Sequence, residues 1–136
     1  MDISGSFVFS ISDKNLDFKD IKDNLPIEPT KLIKRGQKIG KAKKIVAPYD
    51  IWSCEVDIVD SDNIFNDLLP LLKKLLPYSM YIAEAKIRYE SVIINCFIRS
   101  DYAQLGLHLG NEIIKKLCEV GLSIDFHILS FGGVSD

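Results

Sequence analysis

The chain has 136 residues and a formal net charge of −2 at pH 7. A chain of this length forms one domain with an adequate hydrophobic core, and a hydrophobic content of 47% argues against intrinsic disorder. The weak net charge argues against a dedicated nucleic-acid-binding protein, which normally carries a marked excess of lysine and arginine.

The first elements are a strand and a short helix. Residues 6–12 predict a strand with one buried face, because apolar side chains alternate with serines there. Residues 13–25 predict an amphipathic helix, in which Phe18, Ile21 and Leu25 share one face. Prolines follow and end the helix.

The next segment is the most biased in composition. Its cationic residues are Lys31, Lys34, Arg35, Lys38, Lys41, Lys43 and Lys44, and no acidic residue lies among them. We predict a short strand at residues 31–35, followed by a mobile loop over residues 36–48, where two glycines interrupt the chain.

The middle of the chain predicts a strand and then a helix. Residues 51–59 alternate apolar and polar side chains, which is typical of a half-buried strand. Residues 61–76 predict a helix with a wide leucine-rich stripe, which Ser61 or Asp62 could cap. Pro70 either kinks this helix or separates its first turn from a second helix.

The last third predicts strand, helix and strand. Residues 80–99 hold a strand that could begin near Ala85, and its near-continuous apolar core at 91–98 favours a central position with both faces covered. Residues 106–120 predict the last helix, which a glycine ends. Residues 122–131 alternate again and predict a closing strand.

The predicted order is β-α-β-β-α-β-α-β, which indicates a single α+β domain over residues 1–136. We expect a mainly antiparallel sheet of four or five strands, with two or three helices mostly on one face, in a ferredoxin-like or related arrangement. Two strands end in Ser-Asp, at Ser12-Asp13 and Ser100-Asp101, and each is followed by a helix and an extended segment. This pattern leaves open a duplication of β-α-β halves.

No residue pattern predicts catalysis, a metal site or a cofactor. His108 and His127 lie outside any metal-binding spacing, and the motifs of nucleotide-binding loops and nucleophilic serines are absent. The acidic residues Asp57, Asp60, Asp62 and Asp67 could hold a cation, but they match no known calcium loop, and helix capping explains Asp60 and Asp62. Cys54, Cys96 and Cys118, odd in number and widely spaced, are typical of reduced buried thiols rather than of disulfides.

The cationic segment is the one feature that predicts a function. The candidate partner-binding residues are Lys34, Arg35, Lys38, Lys41, Lys43, Lys44, Tyr49 and Trp52. Such cations attract phosphate groups or an acidic protein surface, and the two aromatic residues could stack a base or anchor a protein contact. We expect the contact surface to include an exposed strand face around Trp52. The alternative is a solvated loop that only balances the acidic remainder of the chain.

A series of short motifs carries a family resemblance. In chain order they are Gly5-Ser6-Phe7-Val8-Phe9, Ile27-Glu28-Pro29-Thr30, Lys34-Arg35-Gly36, Trp52-Ser53, the leucine-rich segment 71–77, Gly106-Leu107-His108-Leu109 and Ile124-Asp125-Phe126. With them, nearly the whole chain resembles the bacterial family of domain of unknown function 4279. We take Glu28, Pro29, Thr30 and Gly36 as its family-motif residues.

The resemblance implies a small stand-alone cytoplasmic protein without an established activity. By analogy with other such domains, it implies a non-enzymatic protein-binding module, of which immunity proteins that block a toxin are one kind. The alternative is a nucleic-acid or phosphate-ligand binder that uses residues 31–44. Exposed strand edges would also allow a homodimer. We expect no membrane partner, since no apolar run approaches the ~20 residues of a membrane helix.

Overall fold

The structure is a computed structural model that describes residues 3–60, 62–102 and 104–133, with side chains through residue 130. The strands are β1 Ile3–Asp13, β2 Lys31–Ile33, β3 Lys38–Ile39, β4 Ile45–Val46, β5 Asp50–Asp57, β6 Ser91–Tyr102 and β7 Ile124–Gly133. The helices are α1 Phe18–Asn24, α2 Phe65–Leu75, α3 Ser79–Arg88 and α4 Asn111–Val120, with a 3₁₀ turn Leu76–Tyr78 between α2 and α3.

Five strands form one sheet in the order β2-β5-β1-β6-β7. All neighbours are antiparallel except β6 and β7, which run parallel because α4 crosses between them. The order of the first four of these strands is that of a ferredoxin-like sheet, and β7 extends it beyond β6. The predicted α+β class and the mainly antiparallel five-stranded sheet are therefore confirmed.

The hydrophobic core lies on one face of this sheet. Phe7, Phe9 and Ile11 of β1 are fully buried beneath the helices, as are Ile94 and Cys96 of the adjacent strand β6. The intervening side chains of the same strands, which include the serines of β1, lie on the opposite face and are exposed or half-buried. One face of the sheet is thus the core, and the other has no helix packed on it among the described residues.

The helix α2 is continuous through Pro70. Of the two interpretations of this proline, the structure therefore supports one helix. The helix begins at Phe65 rather than at residue 61, and its N-cap residue Ile64 forms no side-chain cap bond. Asn63 Oδ1 instead accepts from the N–H of Phe65 (3.3 Å), so the predicted cap at Asp62 is wrong. The alternative cap, Ser61, lies outside the described residues.

The first half of the predicted strand 80–99 is wrong, because α3 occupies it and β6 begins only at Ser91. Ile82 and Ala85 are buried at a helical spacing of three residues, which fixes one face of α3 against the core. The strand β6 itself alternates buried and exposed residues, so the expectation that both its faces are covered is also wrong.

The last helix begins at Asn111 rather than at residue 106. It ends as predicted, because Gly121 adopts a positive φ of 83° that closes the helix in the left-handed conformation. The two β-α-β units differ in strand adjacency: β5 lies between β1 and β2, whereas β6 and β7 are direct neighbours. Their duplication stays a hypothesis.

Candidate functional site

Residues 34–47, here called the basic hairpin, carry all six candidate cations. Lys38–Ile39 pairs antiparallel with Ile45–Val46 in a two-stranded sheet separate from the main one. Two short strands therefore lie within the segment 36–48, which was predicted as a mobile loop, and its mobility stays a prediction. Sequence periodicity could not show them, since each strand is only two residues long.

Backbone hydrogen bonds close the base of the basic hairpin. The N–H of Gly36 donates to the carbonyl of Ala47 (2.9 Å), and the N–H of Ala47 donates to the carbonyl of Gln37 (2.8 Å). Gly36 has a φ of 89°, which favours glycine in this turn. The family-motif residue Gly36 is thus explained by backbone geometry, without any ligand.

Asp50 ties the basic hairpin to the body of the domain. Its carboxylate accepts hydrogen bonds from the backbone N–H of Arg35 (2.6 Å) and of Leu16 (3.0 Å). The bond from the Arg35 N–H lowers the pKa of Asp50 most. Desolvation opposes this effect, and the Leu16 bond and the charges of Arg35 and Lys34 lower the pKa further. The hairpin is therefore anchored at the residue where its cations begin.

The exposed side chains of the basic hairpin are both cationic and aliphatic. All its lysines are exposed, and so are Ile45 and Val46. Within the described parts of the chain, the ion pairs are formed by Lys19, Arg88 and Lys116, and none involves a lysine of the hairpin. The hairpin thus presents charges that no described carboxylate neutralises by direct contact.

A cleft of about 550 Å³ lies between α1, the segment that follows it, and β2, which is the strand that precedes the basic hairpin. Its apolar lining comes from Phe18, Leu25, Ile27, Leu32 and Trp52, and Lys19 and Lys22 also line it. Leu32 belongs to the edge strand β2, where it pairs with Trp52 of β5, and its side chain is 48% exposed. The cleft therefore offers accessible apolar surface on the same strand that leads into the hairpin.

Trp52 was expected on an exposed strand face, but its side chain is buried. Its side chain is 3% exposed, and its ring packs edge-on against Phe9 at 5.8 Å between centroids. It forms the floor of the cleft but is chiefly a core residue. Tyr49 is half-buried, and its hydroxyl donates to the carboxylate of Glu90 (3.4 Å), so neither aromatic residue stands free beside the lysines.

The family-motif segment at 28–30 connects the cleft to the sheet. The Thr30 hydroxyl accepts from the N–H of Glu55 (2.9 Å), and the Thr30 N–H donates to the carbonyl of Ser53 (2.8 Å). Glu28 and Pro29 line the cleft itself. Thr30 is thus structural, whereas Glu28 and Pro29 lie at the surface of the cleft.

The comparisons agree with this arrangement of motifs. A family model described as domain of unknown function (DUF4279) matches residues 4–131. The chain belongs to the DUF4279 family. The resemblance drawn from the motifs is therefore confirmed. A search of curated proteins gave no match, and a search of solved structures gave none either.

The DUF4279 domain has a smaller cleft of about 400 Å³ next to its family motif at 106–109. Ile3, Asp62, Asn63 and His108 are among its lining residues. Among the residues that the structure describes, no group of three or more His, Cys, Asp or Glu side chains could hold a metal ion.

Two of the three thiols of the DUF4279 domain are buried. Cys54 and Cys96 are buried, as predicted, and burial raises the pKa of Cys54 and raises that of Cys96 to about 12. Cys118 is exposed, so the prediction of three buried thiols is wrong for this one.

In the described ranges, no helix has the length and apolar character to cross a membrane.

One polar network of the DUF4279 domain has no counterpart among the sequence predictions. The carboxylate of Asp20 on α1 accepts from the hydroxyls of Tyr81 (2.7 Å) and Tyr89 (3.2 Å) and lies 3.0 Å from the Arg88 guanidinium. Burial first, and then Asp20, raise the pKa of Tyr81. The network holds α1 against α3 and against Tyr89, which follows α3. Because α1 forms one wall of the 550 Å³ cleft, the network also positions that wall.

Proposed function

We propose that this DUF4279 domain is a protein-binding module that binds an acidic, partly apolar segment of a partner protein along β2. The observation that supports the proposal most is one of adjacency. Leu32 lines the apolar cleft, and two residues later Lys34 begins the basic hairpin. One short stretch of chain therefore joins an apolar surface to a cationic one.

The edge position of β2 suits an extended partner segment. β2 pairs with β5 on one side, and no described strand pairs with its other side. Extended segments bind such edges through backbone hydrogen bonds, with alternate side chains entering pockets. In this arrangement, aliphatic side chains of the partner enter the cleft while acidic ones face the hairpin.

The two surfaces contribute differently to binding. Exposed charge pairs contribute roughly 0.2–1 kcal/mol each and are screened by salt. Burying one leucine-sized side chain in the cleft contributes roughly 1.5–3 kcal/mol. We therefore expect the cleft to supply affinity, and the hairpin to supply selectivity for acidic partners and a faster association rate.

Charge reversal tests the proposal. The test variant combines four substitutions in the hairpin: Lys38→Glu, Lys41→Glu, Lys43→Glu and Lys44→Glu. The matched control reverses four exposed lysines elsewhere: Lys14→Glu, Lys73→Glu, Lys74→Glu and Lys115→Glu. Both variants carry the same net charge, so a difference between them reports the position of the charge.

The probes are short synthetic peptides in which acidic and aliphatic residues alternate, and the readout is fluorescence anisotropy. We expect the hairpin variant to lose binding and the control variant to keep most of it. Equal binding by the wild-type domain and the hairpin variant would contradict the proposal. A role in blocking a toxin is a special case of this proposal, in which the partner protein is a toxin. Co-expression of that toxin with the wild-type domain should then abolish its toxicity.

Nucleic-acid binding is the second candidate, and the acid-free run of seven cations at 31–44 is the observation in its favour. It is the weaker one, because Trp52 is buried and Tyr49 is bonded to Glu90, so neither is free to stack a base. A labelled single-stranded oligonucleotide, titrated between about 50 and 200 mM salt, distinguishes the two. Tight binding that falls steeply with salt would favour the nucleic-acid candidate.

A further inference from the structure

We propose that two copies of this chain associate through antiparallel pairing of their β7 strands, so that the two sheets join into one. β7 lies at the opposite edge of the sheet from β2, so this inference is independent of the proposed function. The proposed occupant of the β7 edge is a second copy, because the edge is complementary to itself in its length, its backbone, its side chains and its charge.

The two edges of the sheet differ in length. β2 is three residues long, so it can pair with a short peptide segment but offers few backbone groups to a second sheet edge. β7 is ten residues long and contains no lysine, arginine or proline, and Asp125 is its one charged residue. Its single register irregularity lies at its far end, where β6 passes from Ser100 to Tyr102.

The backbone of β7 directs alternate residues outward. The N–H of Ile94 in β6 donates to the carbonyl of Ser123, the residue just before β7. Backbone groups of alternate residues point to the same side of a strand. The N–H and C=O groups of Asp125 and His127 therefore point toward β6, whereas those of Phe126 and Ile128 point away from it. The outward N–H and C=O groups can therefore pair with an approaching strand.

The side chains support a pair centred on Ile128. Ile128 lies on the helix-covered face beside the buried Ile98, yet it is 50% exposed because the sheet ends there. In a two-fold pair it opposes Ile128 of the partner subunit, and both side chains become buried. Centring the pair on His127 would instead place two imidazoles opposite each other.

The open face is complementary in the same register. Leu129 is 52% exposed and would oppose His127 of the partner subunit. The His127 ring stacks on Phe97 at 4.8 Å, with Nε2 held 2.8 Å from Asn95 Oδ1, so it presents a fixed flat surface. Phe97 is 43% exposed, and the row of Leu129, His127 and Phe97 would then continue across the interface.

The charges of β7 do not oppose this pairing. In a pair centred on Ile128, Asp125 stands opposite residue 131 of the other copy. The two Asp125 side chains are therefore separated by about 20 Å along the strands, at ~3.4 Å per residue. At that distance and physiological salt their repulsion is largely screened.

The first test measures the mass and amide exchange of the wild-type chain. Sedimentation equilibrium from micromolar to submillimolar concentration should show a reversible dimer. Amide hydrogen exchange of Phe126 and Ile128 should slow as the dimer forms, whereas the amides of His127 and Leu129, which point to β6, should be protected at every concentration. A monomer throughout, or a dimer in which Phe126 and Ile128 exchange freely, would overturn the proposal.

The second test uses variants that act on the edge in two ways. Ile128→Pro removes an outward N–H without removing a bond to β6, and Leu129→Lys places a charge in the interface while leaving the backbone unchanged. Each should raise the dimer dissociation constant at least about tenfold. Ile87→Lys, which changes an exposed isoleucine of α3, is the matched control and should behave as the wild type. An unchanged dissociation constant in Leu129→Lys would place the dimer contact elsewhere and overturn the proposal.

Discussion

Gly5 shows how closely two strands approach in this sheet. It has a φ of 146°, and a Cβ atom built on it would lie 1.8 Å from the carbonyl oxygen of Phe97 in β6. No side chain can occupy that space unless the backbone of β1 or β6 moves. The glycine of the family motif at 5–9 is thus explained by the packing of two central strands.

Replacing this glycine should destabilise the domain strongly. We expect Gly5→Ala to lower the free energy of unfolding by about 3 kcal/mol or more, because backbone strain and steric overlap add. Gly36→Ala is the comparison, since Gly36 also has a positive φ but a Cβ atom added to it would meet no other atom within 4 Å. Its cost should be about 1–2 kcal/mol. Urea unfolding of the two variants with equal midpoints would contradict this difference.

Asp50 should make part of the stability dependent on pH. Its pKa is lower in the folded state than in the unfolded state, so its stabilising effect is fully present above the unfolded value of 3.8 and is lost as the pH falls through the folded value. We expect Asp50→Asn to destabilise the domain more at pH 7 than at pH 3. Urea unfolding at the two pH values measures this, and an equal loss at both would exclude the effect.

Trp52 shows what could be predicted for a single residue. Its alternation with Ser53 and Glu55 places it on the buried side of β5, and the structure agrees. The interpretation of Trp52 as an exposed contact is wrong because it rests on the residue type rather than on that alternation. The cleft residue Leu32 could not be predicted, because its exposure depends on how α1 packs beside β2, which local sequence does not specify.

At the scale of elements, the errors occur where local patterns compete. Ala85 and the residues around it are good helix formers, but the apolar run from Ser91 onward favours a strand that extends backward into them. The spacing of Ile82, Ala85 and Tyr89 at three and seven residues indicates the helix and is visible in the sequence.

The contact between α1 and α3 should depend on Asp20. We expect Asp20→Ala to lower the free energy of unfolding by roughly 1–3 kcal/mol, because the hydroxyls of Tyr81 and Tyr89 lose a charged acceptor in a part-buried place. Asp23→Ala is the control on the same helix, since Asp23 forms only an exposed pair with Lys19. Its effect should stay below about 1 kcal/mol.

Chemical unfolding monitored by circular dichroism measures both aspartate variants. If the two lost the same stability, the network would contribute no more than a surface ion pair. A further readout is peptide binding, because α1 forms one wall of the cleft. Asp20→Ala should therefore weaken binding more than Asp23→Ala does.

At the scale of the whole molecule, the fold class and the number of strands in the main sheet were predictable, but the order of those strands was not. Alternation within β1, β5 and β6 is local and can be read from the sequence. The position of β1 between β5 and β6 depends on contacts between residues far apart in the chain, such as Phe7 with Val56 and Cys96. The same limit applies to the candidate site. Its cations could be predicted from local sequence, but its cleft depends on contacts between residues far apart in the chain and could not.

The concentration of charge in one segment has a consequence for motion in solution. The segment 31–44 holds seven of the 17 cationic residues and none of the 19 acidic ones, so the rest of the chain carries ten cations against 19 acids, a net −9. A single copy is therefore an electric dipole that turns its hairpin toward an acidic partner before contact. In a two-fold dimer, the dipole components that run across the sheet from β7 to β2 are opposite in the two copies and cancel. Dissociation into monomers would therefore increase the torque that an applied electric field exerts on each copy.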